Sequence, residues 1–211
     1  MCALLRYNLG CGASYSKGCI NVDLDPRVRA DERWDVRYPK VKPRTVVELS
    51  AHHVLEHVAV PEAKTVLASW VALLAPCGQI NLTVPDVHDL TRRLAEGEID
   101  VDAWRRYAFA WTSGITPEGW VVPDGAATYH NAQRLSDRAR YILRTAGPLA
   151  FVDWFNERLF APTRYEPDWY WVHKSAYSKE SLATDLRNLG LSVVDCHVEG
   201  MSYAVVRGRA E

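Results

Sequence analysis

The sequence predicts an α/β fold built on a parallel sheet, closed by a C-terminal antiparallel hairpin and carrying an aromatic-rich helical insert. Three observations predict it. Short apolar runs at 3–9, 19–24, 45–51 and 79–84 have strand character. Between the last two, apolar side chains fall at Ala63, Val66, Leu67, Trp70, Val71 and Leu74, which is helical spacing. A strand, a helix and a strand joined by short links require a parallel crossover.

Each element follows in order. The runs 3–9 and 19–24 are separated by about ten residues, too few for a full crossover helix, so that connection is abbreviated. Residues 45–51 form the next strand. The helix over 61–75 starts at Pro61, a residue suited to a first helical turn. Pro76-Cys77-Gly78 breaks it, and Gln79 to Val84 is a strand ending at Pro85-Asp86. Helices are predicted over 102–112, 131–146 and 178–189, the last amphipathic through Leu182, Leu186 and Leu189 and stopped by Gly190. Strands 191–198 and 202–207 meet around Gly200 as a hairpin.

With 211 residues, the chain fits a single domain, 1–211, with a subdomain inserted at 98–172. A net charge of −1 gives no global basic excess for nucleic acid. No apolar run reaches the ~20 residues that span a bilayer, and the N-terminus has no signal-peptide pattern. Five scattered cysteines without a CxxC pair suit a reduced, cytoplasmic protein without a structural zinc site.

Asn8-Leu9-Gly10-Cys11-Gly12 carries the first functional signal. Backbone at Gly10 and Gly12 can approach a ligand closely, and Asp23, at the end of the next strand, can bind a ribose diol. A dinucleotide fingerprint needs a third glycine and a helix for the pyrophosphate, and neither is present. A cofactor with one ribose and no phosphate tolerates the truncation, and S-adenosylmethionine fits that description.

The sequence resembles the class I S-adenosylmethionine-dependent methyltransferases, in their small type 11-like branch. The resemblance rests on Asn8 to Gly12, Asn21-Val22-Asp23-Leu24, Asp35-Val36, His53-Val54-Leu55-Glu56-His57, Leu74-Ala75-Pro76-Cys77-Gly78, Val84-Pro85-Asp86 and His173-Lys174-Ser175-Ala176-Tyr177-Ser178. These lie in family order and cover roughly 1–97 and 173–211. The resemblance implies a Rossmann-like sheet and a role for each residue. Asn8, Gly10, Cys11 and Gly12 pass beneath the methionine part of the cofactor. Asp23 and Leu24 meet the ribose, Asp35 and Val36 border the adenine, and His52 lines the cofactor. Cys77 stands where the family usually has glycine, which bears on local geometry.

His52-His53-Val54-Leu55-Glu56-His57 is the leading candidate for chemistry. On a helix, His53, Glu56 and His57 would share a face and suit a divalent ion. The stretch also resembles the ExxEH segment of metal-assisted O-methyltransferases, with His53 replacing the first Glu. Two other readings stay open: Glu56 and His57 hold the helix start, or His53 is a metal-free general base. Asp86 follows a strand at the end where α/β sheets bind ligands, and His173 opens a motif that the family places near the active site. Both join His53 as catalytic candidates, with His130 as a further isolated histidine.

Residues 98–172 hold 15 of the 22 aromatics, where even scatter gives about 8, so the insert has an aromatic core or pocket of its own. Trp120, Tyr129, Tyr165, Trp169, Tyr170 and Trp171 lie between Gly and Pro residues and are the pocket candidates, rather than Trp104 or Trp111. Arg92, Arg93, Arg105 and Arg106 suit either phosphates or solvated helix faces. The leading function is O-methylation of a hydroxylated small molecule such as a sugar, glycan precursor or natural product. RNA 2′-O-methylation and a non-catalytic assembly role are the alternatives.

Overall fold

The structure is a computed structural model that describes residues 5–109, 132–157 and 173–211. Its elements are β1 Leu5–Leu9, β2 Ile20–Val22, β3 Val46–His52, a 3-10 turn Leu55–His57, α1 Val60–Leu73 and β4 Leu74–Pro85. Then come α2 Val87–Glu96, α3 Val101–Phe109, α4 Ala132–Thr145, α5 Pro148–Phe155, α6 Lys179–Asn188, β5 Leu191–Glu199 and β6 Tyr203–Ala210. The predicted strands and helices are present within a few residues. Helices α2 and α5 are additions; Asp86 caps the first, and Pro148 opens the second.

The six strands lie in the order β2-β1-β3-β4-β6-β5. β2, β1, β3 and β4 are parallel, β6 is antiparallel to β4, and β5 is antiparallel to β6. This is a Rossmann-like sheet with the expected terminal hairpin. Outside β2, Val22 makes one parallel bridge with Glu32, a single residue pair in place of a further strand.

Alternation along the strands sends Tyr7, Leu9, Leu49, Ala51, Ile80, Leu82, Val84, Ala204 and Val206 into one core with the buried faces of α1 and α6. Trp70 of α1 is fully buried there, and its indole N–H donates to the Val36 carbonyl at 2.8 Å. A second core joins Val87, Leu90 and Leu94 of α2 to Trp104, Phe151 and Phe155. Part of the insert's aromatic content is therefore ordinary packing, as ring pairs such as Trp104 with Phe155 show.

β4 starts at Leu74, five residues before its predicted start. Leu74 pairs with Val46, and the register then jumps to Gln79 opposite Glu48, so Ala75 to Gly78 bulge from the ladder. Cys77 takes φ +61°, a left-handed conformation that favours glycine, and a Cβ on Gly78 would sit 2.7 Å from the Val46 carbonyl oxygen.

Only Gly10 to Cys19 bridge β1 and β2, and Asn21 holds that bridge. Its side chain is fully buried. Its amide N–H groups donate to the Ser16 and Cys19 carbonyls and to Asp31 Oδ2, at 2.9, 3.0 and 2.9 Å. Its Oδ1 accepts from Asn8 Nδ2 at 3.0 Å and from the Ser16 N–H at 2.8 Å. Asn21→Ala removes the acceptor of the Ser16 N–H and one acceptor of Asn8 Nδ2, and takes donors from the Ser16 and Cys19 carbonyls and from Asp31. Each group so orphaned costs about 1–3 kcal/mol, so urea titration should show a loss of about 3 kcal/mol, and a loss below about 1 kcal/mol would contradict this role.

Candidate active site

At the end of β1 the chain reverses through Gly10 at φ +59° and Gly12 at φ +49°. A Cβ on Gly10 would lie 2.5 Å from Val54 Cγ2, so the close approach of the two loops requires glycine there. The Cys11 N–H donates to the Val22 carbonyl at 3.0 Å, and the Gly12 N–H donates to Asp23 Oδ2 at 2.8 Å. Asp23 Oδ1 accepts from the Asp25 N–H at 2.9 Å. Each Asp23 oxygen keeps further lone-pair capacity for a ligand hydroxyl. No helix follows the glycines, as the short link requires.

A cavity of about 190 Å³ opens between this loop and β3. Asn8, Gly10, Cys11, Ser14, His52 and His53 are among its walls. Asn8 is itself buried and spends its amide on the Ser14 carbonyl and Asn21, so it shapes the cavity as well as lining it. Leu24 is exposed and Asp23 half-buried beside the loop. Asp35 is paired with Arg37 at 2.7 Å, and the Val36 carbonyl is tied to Trp70. Burial raises the Asp35 pKa and the Arg37 hydrogen bonds lower it further, leaving it below the ordinary carboxylate range.

The histidine segment departs from its expected form. His53 adopts φ +56°, outside helical space, and only a 3-10 turn over Leu55–His57 follows. His53, Glu56 and His57 therefore do not line one helical face. His53 Nδ1 lies 3.2 Å from Glu56 Oε1, and its ring packs edge-on against Tyr203 with centroids 4.6 Å apart. Among the described residues, the groups whose ligand atoms fall within 4.8 Å of one another are Glu56, His57 and His173, so His173 takes the place in that trio expected for His53. The 3-10 turn explains the exchange, because it carries His57 to the His173 ring, 5.1 Å between centroids.

Glu56 is buried, and its Oε2 has no hydrogen-bond partner. Burial raises its pKa, but the hydrogen bond from His53, foremost among the surrounding imidazoles, brings it below the ordinary carboxylate range, so it stays ionised. His173 is buried and its pKa is pushed down to about 4, chiefly by desolvation, so the ring is neutral at pH 7. Its Nδ1 lies 3.2 Å from the Ala108 carbonyl, an acceptor, which fixes the proton on Nδ1 and leaves a lone pair on Nε2.

Asp86 is also buried, and both its oxygens are engaged. One accepts from the Asp89 N–H at 2.9 Å, capping α2, and the other from the Lys179 N–H at 2.9 Å, at the start of α6. Its observed work is to lock two helix starts beside the sheet end. Arg92 and Arg93 are paired with Asp89 and Glu98, and Arg92 also with Glu96, which marks a solvated helix face. The pocket candidates Trp120, Tyr129, Tyr165, Trp169, Tyr170 and Trp171, together with Trp111 and His130, lie outside the described residues. The sequence offers Asn21 as part of a motif but with no role of its own, and offers no sign of Tyr203. The alternation of polar Glu48, Ser50 and His52 with apolar Leu49 and Ala51 was the available sign of a second polar surface.

No protein-family model matches the chain, and no curated protein matches it in sequence. Solved structures match its fold. An S-adenosylmethionine-dependent methyltransferase from Mesorhizobium loti superposes with TM-score 0.53 at 13% identity, covering 98% of this chain and 90% of that one. A second, from Methanosarcina mazei, gives TM-score 0.55 at 10% identity, covering 100% and 93%. A putative methyltransferase from Haloferax volcanii, solved in complex with a methyltransferase activator, gives 0.51 at 9% identity, covering 98% and 81%. The fold is that of the class I S-adenosylmethionine-dependent methyltransferases.

The two loop glycines separate in their tolerance of a side chain. Left-handed backbone costs an L-residue about 1–2 kcal/mol, and Gly12→Ala should lose about that much in urea unfolding. Gly10→Ala carries the same strain plus the clash with Val54, so its loss should be about twice as large. Equal losses would contradict the close approach.

Proposed function

We propose that this protein is an S-adenosylmethionine-dependent methyltransferase that methylates a hydroxyl of a small molecule. The observation that carries the reading is the Gly10–Gly12 loop, locked to Asp23 and bordering a cavity that runs to His53. Bare backbone at Gly10 lets the methionine part approach, and the Asp23 carboxylate can accept from both ribose hydroxyls. At the far wall, His53 gives Nδ1 to Glu56, so Nε2 is the atom that receives the acceptor's proton. In the transfer an oxygen–methyl bond forms as the sulfur–methyl bond breaks in line with it. The hydroxyl proton moves to His53, and the demethylated cofactor leaves neutral. Alignment of the two reactants supplies most of the rate.

A second element of the reading is a divalent ion on Glu56, His57 and His173. It is favoured by the unpartnered, buried Oε2 of Glu56 and by the Nε2 lone pair of His173. Two imidazoles and one carboxylate suit a transition-metal dication, which would lower the pKa of an acceptor hydroxyl. RNA is a poor fit as acceptor, since the net charge is −1 and Arg92 and Arg93 are spent on acids. A cytoplasmic location accords with the free thiols of Cys11, Cys19, Cys77 and Cys196, and no helix among the described residues is long and apolar enough to cross a membrane.

Calorimetry with S-adenosylhomocysteine tests the core of the proposal. Wild type should bind, and Asp23→Ala should weaken binding at least tenfold, about 1.4 kcal/mol. No binding by wild type would sink the enzyme reading and leave the assembly role. With labelled S-adenosylmethionine, His53→Ala should lower kcat by about 100-fold or more on an accepted substrate. Label appearing in RNA rather than in small hydroxylated acceptors would overturn the acceptor class. For the ion, equilibrium dialysis with Mn²⁺ should give one equivalent per chain, lost in His173→Ala; equal uptake by both proteins would remove that site.

A further inference from the structure

The face of the sheet opposite α1 and α6 has no role in the reading above. On β3 the residues facing away from the core are Glu48, Ser50 and His52. Register places Ser50 beside Asn81, with Arg207 beyond it, and His52 beside Thr83, with Val205 beyond. Parallel sheets are ordinarily covered on both faces. Here this face walls a cavity of about 620 Å³ whose described lining comes from strands and their ends, with no helical residue.

The chemistry of that surface is specific. Ser50, Asn81 and Thr83 carry groups that both donate and accept, in rows about 4.8 Å apart across the strands. His52 Nδ1 sits 2.8 Å from Thr83 Oγ1, which orients the imidazole and keeps Nε2 for another partner. At the margin, Glu48 lies 3.6 Å from Arg6, Arg207 lies 3.5 Å from Asp195, and Glu199 lies 3.7 Å from the His197 ring. Such a surface selects neither an anion nor a cation. It suits a neutral ligand with several hydroxyls, and the Tyr203 ring offers a flat apolar wall for the C–H face of a sugar.

This cavity shares Glu48, Ser50, His52 and His53 with the cofactor cavity, and His53 touches Tyr203 where the two meet. We infer that the polar face of β3, β4 and β6 is a subsite for a polyhydroxylated, sugar-like ligand, held so that it reaches His53. Its role as the acceptor subsite rests on the methyltransferase reading; its affinity for sugars does not.

Saturation-transfer NMR with the methyl α-pyranosides of glucose, mannose, galactose and rhamnose tests it on the full chain. At least one should give a signal with wild type. Asn81→Leu and the near-isosteric Thr83→Val should each cut that signal fivefold or more, with S-adenosylhomocysteine affinity held within twofold in Asn81→Leu. Silence of all four sugars, or a signal unchanged in both folded variants, would overturn the subsite. Sugar binding that depends on Asn81 in a protein that fails to bind S-adenosylhomocysteine would keep the subsite and remove the methyltransferase reading.

Discussion

The site depends on one buried amide. Asn21 links both ends of the β1–β2 bridge to Asn8 and Asp31, and every one of its side-chain hydrogen bonds closes a loop that has no helix to close it. Parallel strands are ordinarily joined through a crossover helix, whose own ladder satisfies the backbone. Ten residues cannot form that helix, so side-chain amides must satisfy the carbonyls of Ser16 and Cys19 instead. The carboxylate of Asp31 completes the network, and bonds from Asn21 and Tyr15 hold it below the ordinary carboxylate range. Asp23, two residues beyond Asn21, inherits its position from this network and returns it to Gly12.

The missing helix has a second consequence. Among the described residues, no helix lines the polar sides of β3 and β4. The chain accommodates this in its sequence: Glu48, Ser50 and His52 alternate with Leu49 and Ala51, a pattern more typical of one-sided antiparallel sheets. The abbreviated loop and the open polar face are thus one structural decision. It leaves hydrogen-bonding side chains along a surface that leads directly into the cofactor cavity.

Much of this was legible in the sequence, for identifiable reasons. Strands β1, β3 and β4 and helix α1 are short-range patterns, and Gly10, Gly12 and Asp23 are spaced by the chain itself. The hairpin around Gly200 was legible because turn chemistry is local. What failed to show depends on long-range placement. His53 was placed on a helix because His53, Glu56 and His57 have helical spacing, whereas the left-handed turn at His53 is set by its N–H bond to the Thr83 carbonyl and by Tyr203. His173 was read apart from Glu56 because 117 positions of chain separate them. The strand-end position of Asp86 is visible in the sequence, whereas its hydrogen bond from the Lys179 N–H, 93 residues away, is not. Helix α2 was missed because its polar face, with Arg92, Arg93 and Glu96, masks the stripe of Val87, Leu90 and Leu94.

The joining of Glu56 to the late motif is also an electrostatic constraint. The Glu56 carbonyl accepts from the Lys174 and Ser175 N–H groups at 2.6 and 3.1 Å, and Ser175 Oγ donates to the Leu55 carbonyl at 3.3 Å. These bonds pull the carboxylate into the interior between the two motifs. A buried anion without a compensating charge costs several kcal/mol, more than a turn of backbone hydrogen bonds returns. His173 cannot supply that charge at pH 7, because burial has already neutralised it. His53 Nδ1, 3.2 Å from Oε1, is the side-chain partner this carboxylate has, and its Oε2 has none. Of the residues around Glu56, His53 also walls the cavity beside Gly10, so the cost of burying this carboxylate falls next to the group proposed to take the proton.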